Sequence, residues 1–371
     1  MVKDIIKKTL SFGANHIAYH WIPKDKKQDI STEDAERILQ EYYPDSNTSA
    51  IWDNSSVKCE IDLSIIVPVY NVDKYLEKCI DSLINQKTIY SYDIVVVNDC
   101  SPDDSAIILK KYEDNEKVKI LNHTVNQGVS AARNTGLRHM RGNYVMFVDS
   151  DDFVTENAVQ DLLNAAYGAQ ADIVQASYYD VDSTGDKKIG SKKYDYCESV
   201  PPNGIISGMP WGKVYKSYLF HTVCFPEKYW YEDTIITALV SHLAKKIVTI
   251  PNFVYFYRLN FQGIVRTGKG KPKAIDTFWV HRCVLNAREK LGLKTDKDFY
   301  EHLIRMVVLS YKRIETETEN VKKSLLVLFR EMLLSVRQDD FRLQRRYVNF
   351  EKAIINGEYQ RCAFLCKTWY D

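Results

Sequence analysis

The run Tyr144-Val-Met-Phe-Val-Asp-Ser-Asp-Asp carries an apolar stretch of strand length straight into Asp149, Ser150, Asp151 and Asp152. On an extended backbone alternate side chains share a face, so Asp149 and Asp151 point the same way. Two such carboxylates can share a hard cation. Mg²⁺ or Mn²⁺ takes oxygen ligands and keeps waters or ligand phosphates in its other positions, so a bound diphosphate would complete the site. The competing reading is an acidic turn that caps the next helix. A second acidic pair, Glu232-Asp233, stands where a helix is expected to begin and suits the positive end of its dipole. Other spacings read as structural. His16 and His20 lie four apart without an acidic or cysteine partner and read as surface residues; Cys362 and Cys366 read as two core positions of one helix.

These groups need elements to hold them. Leu63–Val69 is a near-continuous apolar run, followed by a helical pattern at Tyr75, Leu76, Cys79, Ile80, Leu83 and Ile84. The pattern recurs: Tyr92–Val97 then a helix over 102–112, Val118–Leu121 then a helix over 128–139, then Tyr144–Val148. Strands apolar on both faces and alternating with helices predict a mostly parallel sheet covered on both sides, with ligands beyond the C-terminal strand edge. Further on, the spacing predicts a helix over 156–167, strands over 173–177, 248–250 and 254–257, a loop or hairpin over 182–193, and helices from about residue 269 to the end. Before the sheet, Ser31 caps a helix from Thr32, within an N-terminal extension of residues 1–60. The expected domains are therefore 1–60, 61–268 and a helical 269–371.

Composition bounds the function. Lys and Arg total 50 against 49 Asp and Glu, a net charge of +1, which excludes the polycation that non-specific nucleic-acid binding needs. Any anion must be bound locally. With 45% hydrophobic and 27% charged residues in 371, the chain is globular. The N-terminus lacks the apolar core of a leader peptide, no run approaches about 20 apolar residues, and eight scattered cysteines form no zinc-type pairing. A reducing, cytoplasmic setting is the expectation, at most peripheral to the inner face of the plasma membrane. The base-and-aromatic segment Arg342–Phe350 reads as a membrane-surface helix, a solvated face or a dimer contact. The 25 tyrosines suit either sugar binding or half-buried packing.

Three more segments join the acidic run. Leu63-Ser-Ile-Ile-Val-Pro-Val-Tyr-Asn opens the sheet, Val95-Val-Val-Asn-Asp-Cys-Ser-Pro-Asp-Asp closes its second strand, and Asn126-Gln-Gly-Val-Ser-Ala-Ala-Arg-Asn-Thr-Gly precedes its fourth. Together they resemble the family 2 glycosyltransferases of the nucleotide-diphospho-sugar transferase superfamily, which have the GT-A fold. The resemblance is close over 62–155 and looser to about 268.

The resemblance implies roles. Pro68, Val69 and Tyr70 would line the nucleoside pocket and Asp99 would accept from the ring N–H of a uracil, although Asn98 departs from the usual aspartate beside it. Arg133 would neutralise donor charge or orient Asp149. Asp149, Ser150 and Asp151 would meet the donor, with Asp149 on sugar and ribose and Asp151 the principal metal ligand. Asp233 would be the catalytic base, with Glu232 on the acceptor side. Trp211, in Met209-Pro-Trp-Gly-Lys, would face the acceptor, with a core tryptophan as the rival reading. Arg258 and Arg266 match a segment over the donor diphosphate. The activity implied is inverting, Mn²⁺- or Mg²⁺-dependent transfer from a nucleoside-diphosphate sugar, UDP-linked by the Asp99 match, to a glycan hydroxyl. Its setting would be bacterial capsule, exopolysaccharide or cell-wall synthesis, with a lipid- or protein-linked acceptor and a homodimer among the arrangements. The alternatives are a protein O-glycosyltransferase that extends a glycan on a surface protein and a non-catalytic nucleotide-sugar-binding or scaffolding member.

Overall fold

A computed structural model of the chain describes residues 30–202, 206–259, 268 and 270–369. His16, His20 and Arg266 lie outside the described residues. What is described divides into two compact units: residues 46–259 with 283–292, and residues 30–45, 268–282 and 293–369.

The first unit is built on a sheet of nine strands: β1 Ile61–Val69, β2 Tyr92–Asn98, β3 Val118–Asn122, β4 Gly142–Phe147, β5 Phe153–Val154, β6 Ile173–Val181, β7 Lys188–Lys192, β8 Lys213–Lys216 and β9 Ile247–Arg258. Their order is β3-β2-β1-β4-β8-β6-β9-β5, with β7 paired to β6. The expected parallel core is present: β1 lies between β2 and β4, and β3 flanks β2, all parallel. Beyond β4 the sheet turns mixed, because β8 runs antiparallel to both β4 and β6. β8 and the two-residue β5 escape sequence patterning, being too short to show alternation. The two predicted strands near 248–257 are one, β9, irregular in its pairing with β6 where Pro251 cannot donate to the ladder.

Helices Asp73–Ile84, Val129–Arg138 and Ala158–Ala169 cover the sheet. Gly136 explains how closely the second one sits: a Cβ there would lie 2.4 Å from Ile66 Cγ2 of β1. That contact seats the helix carrying Arg133 against the central strand. Residues 46–60, counted with the N-terminal extension in sequence, belong to this unit. Trp52 N and Nε1 donate to Thr222 O and Phe220 O at 3.2 and 2.9 Å, and Asn54 Nδ2 donates to Leu137 O at 3.1 Å.

The second unit is helical, as expected. It contains Thr32–Tyr42, Lys297–Arg313, Glu319–Val336, Arg345–Ile355 and Tyr359–Thr368. Ser31 caps the first by accepting from Asp34 N at 3.0 Å, and helix Glu319–Val336 packs on it. Cys362 and Cys366 are fully buried on one helix. Tyr347 and Phe350 of the basic-aromatic segment are buried as well, so its aromatic side is spent on packing. Among the described residues no helix is long and apolar enough to cross a membrane.

Candidate active site

Because β2, β1 and β4 are adjacent and parallel, the turns that leave them emerge side by side, roughly 4.8 Å apart per strand. Tyr70 follows β1, Asp99 follows β2 and Asp149 follows β4. Pro68 and Val69 are buried in β1, while the Tyr70 ring is 48% exposed at the edge. Asn71 and Cys100 both take positive φ, 55° and 57°, so the two turns bend sharply away from their strands.

Asp99 is 2% exposed, and the protein supplies its carboxylate with donors. Gln127 N donates to Oδ1 at 2.8 Å, Gly128 N to Oδ2 at 2.7 Å, and His123 Nδ1 lies 2.6 Å from Oδ1. The side chain thereby draws the start of the Arg133 helix onto the end of β2. Gly128, at φ 90°, supplies the backbone this approach requires. The Asn98 departure has a structural account: its Nδ2 donates to Asn122 Oδ1 at 2.9 Å and its Oδ1 accepts from Ser101 N at 3.1 Å, which ties β2 to β3 and closes the turn.

The acidic turn is braced from behind. Tyr255 Oη accepts from Asp149 N at 3.1 Å and donates to Asp152 Oδ2 at 2.8 Å. Arg258 N donates to Asp152 Oδ1 at 2.7 Å, and its guanidinium donates to Asp151 O at 2.6 Å and Ser183 O at 2.9 Å. Burial, together with the nearby Asp151 and Asp149 charges, pushes the Asp152 carboxyl well above the usual carboxylate range. Asp152 and Ser150 are buried, whereas Asp149 and Asp151 are partly exposed. Arg258 is itself buried, packed over Tyr75 at 4.6 Å and under the turn.

Asp149 and Asp151 offer hard oxygen donors on one turn, and among the described residues no group of three or more His, Cys, Asp or Glu side chains is arranged to hold a metal ion by itself. That donor set fits Mg²⁺ or Mn²⁺, which accepts a carboxylate or two and completes its shell with water and phosphate oxygens.

Arg133 connects this turn to the other acidic pair. Its Nη2 donates to Asp149 Oδ1 at 2.9 Å and its Nη1 to Glu232 Oε1 at 2.6 Å, with Phe225 5.2 Å beneath the guanidinium. Burial works against the charge, but the two carboxylates outweigh it and hold the group protonated beyond its ordinary range. The hydrogen bond to Asp149 is the contact that an orienting role would use. Glu232 and the half-buried Asp233 form a turn after Tyr231, which sits at φ 65°, a conformation a bulky residue adopts only when its surroundings impose it. The predicted helix starts behind them and widens into a π segment, Ile236–Val240.

Trp211 lies beside the end of β4, in an isolated bridge with Phe147. Its indole is 3% exposed, stacked on Tyr255 at 4.5 Å and Tyr257 at 5.0 Å, with Tyr178 edge-on at 4.9 Å. The structure thus puts it in the core, behind Tyr255, and not on an open acceptor surface. Two participants have no role assigned from sequence. One is Tyr255, an ordinary strand residue. The other is Lys213, fully buried, whose ammonium donates to Ser207 Oγ at 2.8 Å and Met209 O at 2.7 Å. Burial, partly opposed by the Asp233 charge, lowers its pKa to about 7. Its strand, Lys213–Lys216, carries a second lysine at its far end, so charge alone does not single it out.

The strand-end turns with Tyr70 and Asp99, an acidic turn suited to a cation and a second acidic pair joined to it through Arg133 stand together on a GT-A-type sheet. Residues 64–227 match the family described as glycosyl transferase family 2. Glycosyltransferase GlyG of Streptococcus pneumoniae is 31% identical over 222 residues, 55% of this chain and 73% of GlyG. Glycosyltransferase GlyA of the same organism is 34% identical over 249 residues, 62% of this chain but 34% of GlyA, so the chain spans about a third of that relative. The crystal structure of Staphylococcus aureus TarS 1–349 in complex with UDP-GlcNAc superposes with a TM-score of 0.65 at 21% identity, covering 82% of this chain and 90% of that one. The chain belongs to glycosyl transferase family 2.

Proposed function

We propose that this chain is an inverting, metal-dependent glycosyltransferase that moves a sugar from a UDP-type donor to a hydroxyl of a glycan acceptor. The observation that carries the reading is Arg133, which joins Asp149 on the donor edge to Glu232, the neighbour of Asp233, through one buried guanidinium. Donor groups and base are thereby held in fixed relation, as in-line displacement demands. An acceptor hydroxyl is a weak nucleophile. Asp233 would take its proton as the new bond to the anomeric carbon forms and the bond from that carbon to the diphosphate breaks, the electron pair leaving with the phosphate oxygen. One such displacement inverts the anomeric centre. Asp149 and Asp151 would hold Mn²⁺ or Mg²⁺, which when bound neutralises charge on the leaving diphosphate.

Two lines favour the donor and acceptor classes. The superposed TarS structure contains UDP-GlcNAc, and relatives include a poly(ribitol-phosphate) beta-glucosyltransferase of Bacillus spizizenii, 30% identical over 207 residues. A surface polysaccharide or teichoic-acid-like glycan is the corresponding acceptor class, met on the cytoplasmic side of the membrane. The test is a screen of nucleotide sugars with Mn²⁺ for nucleotide release, on the wild type and Asp233→Asn. Release with one UDP-sugar, abolished in Asp233→Asn while UDP binding survives, is the expected result. Loss of UDP binding in parallel would remove the base assignment.

A further inference from the structure

The turn that carries Asp233 is held from a part of the chain that no donor or acceptor motif marks. Residues 283–292, the later part of helix Asp276–Lys290 and the turn after it, belong to the sheet unit, well downstream of the acidic pair. Arg288 lies in that segment, 2% exposed, and its Nη1 donates to Ala238 O at 2.6 Å. Ala238 is in the middle of the π segment, where Ser241 N donates to Ile236 O five residues back. Such a turn is rare and recurs at functional sites. At its other end the segment holds the acidic pair by the backbone: Ile235 N donates to Glu232 O at 3.4 Å and Ile236 N to Asp233 O at 2.9 Å.

We propose that Arg288 is a positioning residue for Asp233: by binding the Ala238 carbonyl it fixes the π segment, and the π segment fixes the backbone of the Glu232-Asp233 turn. Arg133 holds the same turn through the Glu232 side chain, so the turn is braced from both ends. A planar guanidinium suits this use better than an ammonium because its donors lie in fixed directions. The inference rests on the reading of Asp233 as the general base.

The test uses the full chain. Arg288→Met keeps the apolar stem of the side chain and removes the guanidinium donors. Its kcat is expected to fall about 10- to 100-fold, as for a displaced catalytic group, while the affinity for UDP with Mn²⁺ stays at the wild-type value. Amides of residues 233–241 should exchange faster in this variant, with those of β1 and β4 unchanged. Arg288→Lys should give an intermediate kcat, and it carries the test if the methionine variant does not fold. Wild-type kcat and exchange in a folded variant would overturn the proposal, as would a loss of UDP affinity parallel to the loss of kcat. The exchange measurement does not depend on what Asp233 does. Faster exchange alongside full transfer by Asp233→Asn would therefore retire the base assignment and leave the Arg288 brace standing.

Discussion

Arg133 and Glu232, 99 residues apart in the chain, are joined by a hydrogen bond of 2.6 Å between Nη1 and Oε1 inside the protein. Both side chains are largely removed from water, so the pair is worth keeping only because each charge has a fixed partner. Removing Arg133 takes the paired charge away from buried Glu232, while removing Glu232 leaves Arg133 with Asp149 alone. Arg133→Met is expected to destabilise the fold by about 3–5 kcal/mol, and Arg133→Met with Glu232→Leu by less than the sum of the single changes, with a coupling above about 1 kcal/mol. Urea denaturation of the three variants measures it. Strict additivity would mean that the two charges do not depend on each other.

Asp151 gives a test of cation use that is separate from the base. Asp151→Ala should weaken UDP binding in the presence of Mn²⁺ and leave the weak binding measured with EDTA unchanged. Calorimetric titration with and without the cation reads both. Binding of wild-type strength under both conditions would remove Asp151 as a ligand.

For Trp211, core packing makes a prediction opposite to acceptor binding. Trp211→Ala should cost about 3–5 kcal/mol of stability, as for other large buried aromatics. The acceptor KM should be unchanged at a temperature where the variant is folded. Normal stability with a raised acceptor KM would return the indole to the acceptor.

Lys213 should shape the pH dependence of stability. Its ordinary pKa is 10.5 and burial brings the folded value to about 7. Between these values the unfolded chain holds more protons than the folded one, so the lysine's contribution to stability rises as pH rises from about 7 towards 10.5. Below about 7 its penalty is constant and complete. In Lys213→Met the slope is absent, so melting temperature plotted against pH should climb more steeply for the wild type over that window. Parallel curves would show that Lys213 keeps its charge in the folded protein.

By itself the sequence determined the parallel strands of the sheet and which residue types stand at their ends. Those signals are local: an apolar run of strand length followed by a turn residue places Tyr70, Asp99 and Asp149 at one edge, whatever happens elsewhere in the chain. The same locality made the helix caps and the buried Cys362 and Cys366 legible. Only the tertiary structure decided what those side chains face. Asp99 meets two amides and a histidine from beyond the next strand, Arg133 meets a carboxylate 99 residues away, and the Trp211 indole is taken up by two tyrosines of β9. Tyrosine shows the division most plainly, since Tyr144, Tyr215, Tyr255, Tyr311 and Tyr347 are core residues while Tyr70 is open at the site edge. Periodicity specifies a face, but the neighbour across that face comes from a distant segment. Its identity is set by packing, which no single stretch of sequence contains.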